Sequence, residues 1–209
     1  MPVLLHLDSS ADLDRSRTRS ITAAFADAWA GLGGDHRVVR RDLHRDPLPH
    51  LSDAALHWPP ELRQAGSVPP AEDEARQARI IEELLGADVV LIGAPLYNYS
   101  MPSTLKTWID HIHVPVTTAS FAGSVPPMAG RHVVIATARG GAYDPGTPTE
   151  GWDHAVPPLQ IVLGESLGMT THVIATNVTL ARDGEQLQRA DRELDAARAA
   201  AVELARELG

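Results

Sequence analysis

The sequence predicts an α/β fold, a three-layer sandwich around a five-stranded parallel sheet of strand order 2-1-3-4-5. Short apolar runs alternate along the chain with longer segments in which apolar residues recur every three or four positions. This alternation is typical of strands joined by crossover helices. Five strands favour the order 2-1-3-4-5 over the six-stranded dinucleotide-binding fold. Because no domain-scale linker or internal repeat interrupts the pattern, we expect residues 1–209 to form a single domain.

The first half of the chain predicts two strands, two helices and one long loop. In the first helix, Ile21, Phe25 and Trp29 recur at four-residue intervals, and a Gly-Gly pair ends it. The segment at 44–73 carries six prolines and is longer than a simple connection, which is typical of functional or interface loops. The predicted elements are a strand at 2–7, a helix at 16–34, a strand at 36–43 and a helix at 71–87.

The second half continues the alternation and closes with a long helix. The run at 88–95 is apolar through most of its length, as expected for a strand covered on both faces of the sheet. Pro102 lies near the start of the next helix, where its missing N–H is tolerated. The remaining predicted elements are a helix at 102–113, a strand at 131–138, a segment at 154–169 that is helical in its second half, a strand at 171–178 and an Ala-rich amphipathic helix at 184–208.

Composition and charge narrow the classes of partner. The formal net charge of −9 argues against nucleic acid or an anionic membrane surface as the main partner. No segment is apolar over a membrane-spanning length, and the amino-terminal residues lack the charge and apolar core of a signal peptide. The absence of cysteine excludes disulfides and thiol chemistry and suits a reducing compartment. We therefore expect a cytoplasmic protein with no membrane and no nucleic-acid partner.

The loop after the first strand predicts a phosphate site, because folds of this order bind ligands at the carboxyl ends of their strands. Its sequence, DSSADLDRSRTRS, is rich in hydroxyl groups and carries arginines at 15, 17 and 19. A helix N-terminus offers unpaired N–H groups and a partial positive charge, and hydroxyl and guanidinium groups add further donors. Ordinary capping by Ser16 would explain one hydroxyl, but not a cluster this dense. The loop is not a Walker A sequence, since it lacks the glycine spacing and the lysine.

Two further loops at the same edge bring aromatic, amide and glycine residues together. Tyr97, Asn98 and Tyr99 follow the third strand, and the segment ARGGAY at 138–143 follows the fourth. Aromatic faces, an amide that donates and accepts, and glycines that allow close backbone approach suit a flat polar ring. Alone, each loop has a plainer explanation, either tyrosines that cover the sheet edge or a turn that needs positive φ. Together, the three loops predict a phosphorylated, flat heteroaromatic cofactor, with FMN as the leading candidate.

Over nearly its whole length the sequence resembles the FMN-dependent NAD(P)H azoreductases, also called quinone reductases, of the flavodoxin-like superfamily. The most specific similarity is APLYNYSMPSTLKTWID, which resembles the family's A-P-M-Y-N-F segment and the S-T-L-K helix that follows it. The segment ARGG resembles the family's S-R-G-G loop, and SSADLDRSRTRS resembles its phosphate loop. The resemblance implies a flavodoxin-like three-layer sandwich that binds FMN.

The resemblance also implies which residues contact the cofactor. The phosphate would be held by Ser9 or Ser10 together with Ser16, Arg17 and Thr18. The isoalloxazine ring would be lined by Pro95, Leu96, Tyr97, Asn98 and Tyr99, with a backbone N–H near Asn98 facing flavin N5, and its pyrimidine side would be contacted by Ala138, Arg139, Gly140 and Gly141, with Tyr143 beside them. Ala138 departs from the family pattern because it lacks the serine hydroxyl, and Tyr99 replaces a common phenylalanine.

The resemblance further implies a homodimeric enzyme that needs no acid–base triad. NAD(P)H would reduce the flavin and leave before a small-molecule electron acceptor, a quinone or an azo compound, takes the same place in a ping-pong mechanism. Trp58 in the Pro-rich segment and Phe121 would close the substrate pocket beside Tyr99, partly from the partner chain. Two alternatives stay open. A flavodoxin-type electron carrier fits the acidic charge but not the extra aromatic residues, and a pathway-specific reductase could use the same scaffold.

Two further motifs suggest other chemistry, but the predicted elements around them argue against both. GESLG at 164–168 matches the G-x-S-x-G pattern of hydrolases. A helix is predicted before Ser166 and a strand after it, which is the reverse of the order in a nucleophile elbow. His111 and His113 lie two residues apart on a predicted helix and therefore point to different sides. We accordingly expect neither a serine hydrolase nor a metal site.

Overall fold

The computed structural model describes residues 1–143 and 145–209 and contains one parallel sheet of order β2-β1-β3-β4-β5. The predicted fold class and strand order are therefore confirmed. Each strand lies within one or two residues of its predicted position. The strands are β1 (Val3–Asp8), β2 (Arg37–Asp42), β3 (Val89–Pro95), β4 (His132–Ala138) and β5 (Thr170–Thr176).

The helices follow the predicted order, with one local departure from α-helical geometry. The α-helices are α1 (Arg17–Ala30), α2 (Ala71–Leu85), α3 (Ser103–Ile112), α4 (Val156–Leu159) and α5 (Gly184–Leu208). The chain continues from α4 as a π-helical segment, Gln160–Ser166. The Pro-rich segment before α2 is not a featureless loop, because it contains 3₁₀ turns at Ala54–His57 and Pro60–Leu62.

The hydrophobic core has two halves, one on each face of the sheet. Successive residues of a strand point to opposite faces, so Val90 and Ile92 of β3 pack with α2, α3 and α4. Val89 and Leu91 of the same strand pack with α1 and α5. Every residue of β3 is buried, as expected for the central strand of a sheet with both faces covered. Helices therefore cover both faces of the sheet, and a ligand would reach it only at an edge.

The register of the strands brings three loops to that edge. Asp8 at the end of β1 pairs with Gly93 of β3, and Pro95 at the end of β3 pairs with Ala138 at the end of β4. Because the strands are parallel, the loops that follow them all leave from the carboxyl edge of the sheet. Across residues 1–143 and 145–209, no helix is long and apolar enough to cross a membrane.

Candidate functional site

A cavity of about 720 Å³ opens at the carboxyl edge of the sheet, where the strand order switches between β1 and β3. Crevices at such switch points are where open α/β sheets bind ligands, and this volume suits a cofactor. The walls come from the loops after β1, β3, β4 and β5. The lining residues are Ser10, Asp12, Arg15, Ser16, Arg17, Pro95, Leu96, Tyr97, Asn98, Ala138, Gly140, Thr179 and Leu180.

One end of the cavity is rich in hydrogen-bond donors. Ser16 caps α1 by accepting the N–H of Arg19 at 3.2 Å. In helical geometry the N–H groups of the first turn have no acceptor within the helix, so the start of a helix such as α1 can donate to a ligand. Asp12 Oδ1 accepts the N–H groups of Arg15 at 2.8 Å and Asp14 at 3.1 Å. The carboxylate of Asp12 thus shapes the loop in front of α1.

The three arginines of this loop have different surroundings. Arg15 is exposed and lines the cavity. Arg17 also lines it, but one guanidinium nitrogen donates to the carbonyl oxygen of Ala190 and another lies 3.6 Å from Asp191 Oδ1, both on α5. Arg19 turns away and pairs with Asp42 at the end of β2. The positive charge near the cavity is therefore partly neutralised by the protein itself.

The loop after β3 is a tight turn held in an uncommon conformation. Tyr97 and Ser100 exchange backbone hydrogen bonds of 2.9 and 3.0 Å, and Asn98 and Tyr99 between them have φ of 48° and 68°. Two successive positive φ values define a type I′ turn. Asparagine tolerates that region, whereas a bulky residue such as tyrosine rarely adopts it. Backbone strain of this kind clusters at ligand sites.

Tyr97 joins this turn to the loop after β1. Its hydroxyl lies 3.1 Å from Ser10 Oγ and accepts the N–H of Ala11 at 3.1 Å. Leu96 in turn donates its N–H to the carbonyl oxygen of Ala138 at 2.9 Å. The loops after β1, β3 and β4 are thus hydrogen-bonded to one another around the cavity.

The loop after β5 also contributes to the wall of the cavity. Thr179 and Leu180 donate their N–H groups to the carbonyl oxygens of Arg139 and Gly140, at 3.0 and 3.2 Å. A Cβ atom at Gly140 would lie 2.8 Å from Leu180 Cδ1, so this close approach requires glycine or a shift of the leucine. The apolar side chain of Leu180 and the backbone of Gly140 together line one side of the cavity.

Several residues predicted at the site lie behind its lining. Ser9 is buried, and its hydroxyl donates to the carbonyl oxygen of Gly93 at 2.6 Å. Thr18 is fully buried, with its hydroxyl 3.0 Å from Ser16 Oγ. Both side chains pack beneath the predicted phosphate loop. Gly141 accepts the N–H of Val178 at 3.2 Å and lies beside the β5 loop.

Arg139 and Asp153 form a largely buried ion pair beside the cavity, with Nη2 and Oδ2 2.6 Å apart. The other carboxylate oxygen of Asp153 caps α4 by accepting the N–H groups of Ala155 and Val156 at 2.8 and 3.0 Å. Burial, followed by the electrostatic effects of nearby Tyr99 and Asp153, raises the pKa of Tyr143 above its usual value of 10.

Two pairs of half-exposed aromatic rings stand away from the cavity lining. Tyr99 meets Trp152 edge to face with ring centroids 5.5 Å apart, and each is 49% exposed. Trp58 and Phe121 form a similar pair at 6.3 Å. Trp58 also lines a second, mainly apolar cavity of about 610 Å³ formed with α2. Within one chain, Trp58 and Phe121 therefore lie apart from the first cavity.

The two alternative motifs meet each other rather than the cavity. His113 Nε2 lies 2.8 Å from Ser166 Oγ, and His111 Nε2 lies 2.9 Å from the carbonyl oxygen of Pro49. Ser166 ends the π-helical segment before β5 begins, at the amino edge of the sheet. In the part of the chain that the structure describes, no group of three or more histidine, aspartate or glutamate side chains is arranged to hold a metal ion.

Comparison with known proteins assigns the chain to a family. A family model described as flavodoxin-like fold matches residues 3–203. A protein of Kineococcus radiotolerans named FMN-dependent NADH:quinone oxidoreductase is 56% identical over 212 residues, covering 100% of both chains. The chain belongs to this flavodoxin-like family of FMN-dependent NADH:quinone oxidoreductases. A Streptomyces coelicolor member with the same name is 39% identical and covers 87% of this chain and 81% of its own.

Solved structures agree with the flavodoxin-like assignment at the level of fold. An azoreductase from Bacillus anthracis superposes with a TM-score of 0.81 at 20% identity, over 99% of this chain and 100% of its own. A second B. anthracis structure, an FMN-dependent NADH-azoreductase in complex with FMN, has a TM-score of 0.80 at 21% identity, over 97% and 99% of the two chains.

Four lining residues were not among those predicted for this flavodoxin-like site: Asp12, Arg15, Thr179 and Leu180. Arg15 was visible as one of three arginines, but its sequence position did not distinguish it from the other two. Thr179 and Leu180 follow β5, and the rule that ligands bind at the carboxyl ends of strands applies to that strand as well. Extending the rule to the fifth loop would have found them.

Proposed function

We propose that the chain is an FMN-dependent oxidoreductase that takes electrons from NAD(P)H and reduces quinones or azo compounds by a ping-pong mechanism, with residues 1–209 acting as one FMN-binding domain. The observation that carries the proposal is the cavity at the carboxyl edge, which is lined both by hydroxyl and guanidinium donors and by apolar residues such as Pro95, Leu96 and Leu180. A relative that is 56% identical bears the name FMN-dependent NADH:quinone oxidoreductase. A cytoplasmic location, where NADH is available, fits this activity.

The residues at the donor-rich end fit a phosphate group. Ser10 and Ser16 bring hydroxyls, and the first turn of α1 brings backbone N–H groups and a partial positive charge. Arg15 and Arg17 add guanidinium groups that suit a doubly charged anion. In this assignment Ser9 and Thr18 support the loop from below, since both side chains are buried.

The opposite end fits the isoalloxazine ring. Pro95, Leu96 and Tyr97 form one wall, and Ala138 and Gly140 form another. The type I′ turn holds the backbone N–H near Asn98, which we assign to flavin N5. When bound, FMN supplies the electron chemistry between NAD(P)H and the acceptor. The protein orients the ring, keeps its polar edges hydrogen-bonded and excludes water from one face.

We further propose that the active form is a homodimer and that the partner chain completes the acceptor pocket. Trp58 and Phe121 are each 42% exposed, and Val125 is 83% exposed. A monomer rarely exposes so much apolar surface in one region unless that surface binds something. In this proposal a second copy covers this surface, and Trp58 and Phe121 help to close the acceptor pocket of the partner chain.

Purified protein reconstituted with FMN tests the proposal. We expect a yellow protein whose flavin absorbance is bleached by NADH without oxygen and restored by a quinone. Steady-state rates plotted reciprocally against NADH, at several quinone concentrations, should give parallel lines. A protein that binds FMN but is bleached only by a chemical reductant would instead be an electron carrier. A protein that binds no FMN would overturn the proposal.

The second half of the same test identifies the class of electron acceptor. A panel of quinones and azo dyes should all reoxidise the reduced protein, at rates that differ by acceptor. A protein that NADH bleaches, but that none of these acceptors reoxidises, would contradict the assigned acceptor class and favour a pathway-specific reductase.

A further inference from the structure

Arg19, the third residue of α1, is committed to contacts inside the protein. Its Nη2 and Nε both donate to the carbonyl oxygen of Ser10, at 2.8 and 3.3 Å. Its Nη1 and Nη2 donate to the two carboxylate oxygens of Asp42, at 2.7 and 2.9 Å. The side chain is only 16% exposed. Arg19 therefore holds the loop after β1 from behind, although it does not line the cavity.

The loop that Arg19 holds includes Ser10, which lines the cavity, and Ala11, which bonds the lining residue Tyr97. Ser10 is 2% exposed, and its hydroxyl lies 3.1 Å from the hydroxyl of Tyr97. The next residue, Ala11, donates its N–H to the same tyrosine hydroxyl at 3.1 Å. Arg19 thus links Asp42 to the backbone carbonyl of Ser10, and the hydroxyl of the same serine meets Tyr97, so these contacts connect β2, α1 and the loops after β1 and β3.

The carboxylate that Arg19 contacts is itself held firmly. Asp42 ends β2, and its Oδ1 also accepts the N–H groups of His44 and Arg45, each at 3.1 Å. Burial alone would raise the pKa of Asp42, but hydrogen bonds from Arg19 and from the backbone of Arg45 outweigh it and lower the pKa from 3.8 to about 2. The pair with Arg19 is therefore fully charged at neutral pH. A bidentate, charge-assisted pair of this geometry fixes orientation as well as adding stability.

We propose that Arg19, anchored by Asp42, is a positioning residue for the cofactor: it fixes the carbonyl of Ser10 and, through Ser10, the hydroxyl of Tyr97. The inference rests on the proposed function, because the cofactor it serves is FMN. The ion pair of Arg19 and Asp42 would then affect FMN affinity, although neither residue lines the cavity. Nothing in the amino-acid pattern distinguishes this arginine from its two neighbours, which do line the cavity.

The adjacent residue of β2 supplies a matched control. Arg41 forms a bidentate pair with Glu83, with distances of 2.9 and 2.7 Å. The side chains of Arg41 and Glu83 are 18% and 31% exposed. Those of Arg19 and Asp42 are 16% and 24% exposed. Arg41 points to the opposite face of the sheet, toward α2. The two pairs are thus alike in geometry and burial, and only one of them reaches the loop after β1.

The test compares Asp42→Asn and Arg19→Lys with Glu83→Gln and Arg41→Lys. All four variants should melt at lower temperatures than the parent. Only the first two should also raise the Kd for FMN, measured by quenching of flavin fluorescence, by on the order of tenfold. Lysine keeps the charge of Arg19 but not its forked geometry. Arg19→Lys therefore tests the positioning role of Arg19 even if Asp42→Asn, which removes a charge, folds poorly.

A double-mutant cycle checks the route of the effect. If Asp42 acts through Tyr97, then Asp42→Asn and Tyr97→Phe together should raise the Kd for FMN by less than the product of their separate effects. Equal increases in Kd for both ion pairs, or fully multiplicative effects in the cycle, would overturn the inference while leaving the proposed function intact. A parent protein that binds no FMN would instead mean that the proposed function itself is wrong.

Discussion

Replacing Gly93 by alanine should destabilise the sheet at the base of the cavity. A Cβ atom there would lie 2.7 Å from Asp8 Oδ1 and 3.3 Å from Thr22 Cγ2. Asp8 cannot move freely, because Thr22 donates to the same oxygen at 2.9 Å and His6 Nε2 lies 3.2 Å from the other. Overpacking a filled site costs about 1–3 kcal/mol. For a chain of this length, that lowers the melting temperature by about 2–12 °C.

The assay is thermal unfolding of cofactor-free protein, followed by far-ultraviolet circular dichroism at neutral pH. Gly34→Ala is the matched control, because a Cβ atom at Gly34 would have nothing within 4 Å. Its free energy of unfolding should stay within about 0.5 kcal/mol of the parent. Equal melting temperatures for the two variants, within about 1 °C, would show that Asp8 relaxes at no cost and would refute the reasoning.

Three further outcomes follow from particular contacts. Tyr97→Phe removes a hydroxyl that bonds the loop after β1, so the Kd for FMN should rise roughly 2- to 12-fold in a fluorescence titration, and an unchanged Kd would contradict this. Burial lowers the pKa of His111 from 6.5. The unfolded chain therefore binds a proton at this histidine more readily than the folded chain does. The stability that neutral His111 contributes is lost as pH falls below about 6.5. The melting temperature of His111→Gln should accordingly fall less than that of the parent between about pH 7.5 and 5.5, and equal slopes would count against the assignment. Phe121→Asp should convert the proposed dimer to a monomer in sedimentation velocity, and a variant that still sediments as a dimer would place the interface elsewhere.

Much of the fold was readable from the sequence because its signals are local. Apolar runs of strand length alternate with helical periodicity, and that pattern predicts the strand order that the structure has. The hydroxyl cluster near Ser16 and the tyrosines near Asn98 were visible for the same reason. The strand order then places both segments at one edge, and the structure brings Ser16 and Asn98 into the lining of a single cavity.

The lining itself was harder to predict, because a side chain's direction depends on partners far away in the sequence. Arg15, Arg17 and Arg19 alternate with other residues in one short segment at the start of α1, so their spacing alone does not tell them apart. The structure separates them, since Arg17 contacts the carbonyl oxygen of Ala190 on α5 and Arg19 pairs with Asp42 on β2. The guanidinium groups of Arg17 and Arg19 meet these partners only when α5 and β2 pack beside α1.

The amino-acid sequence by itself thus determined the order of elements and the residue types that the strand order brings to the carboxyl edge of the sheet. The tertiary structure decided which of those groups face the cavity. It placed Ser9 and Thr18 beneath the loop and added Leu180 to the wall. The physical reason is that periodicity and turn chemistry act over a few residues, whereas burial and charge pairing act between elements that meet only in the folded chain.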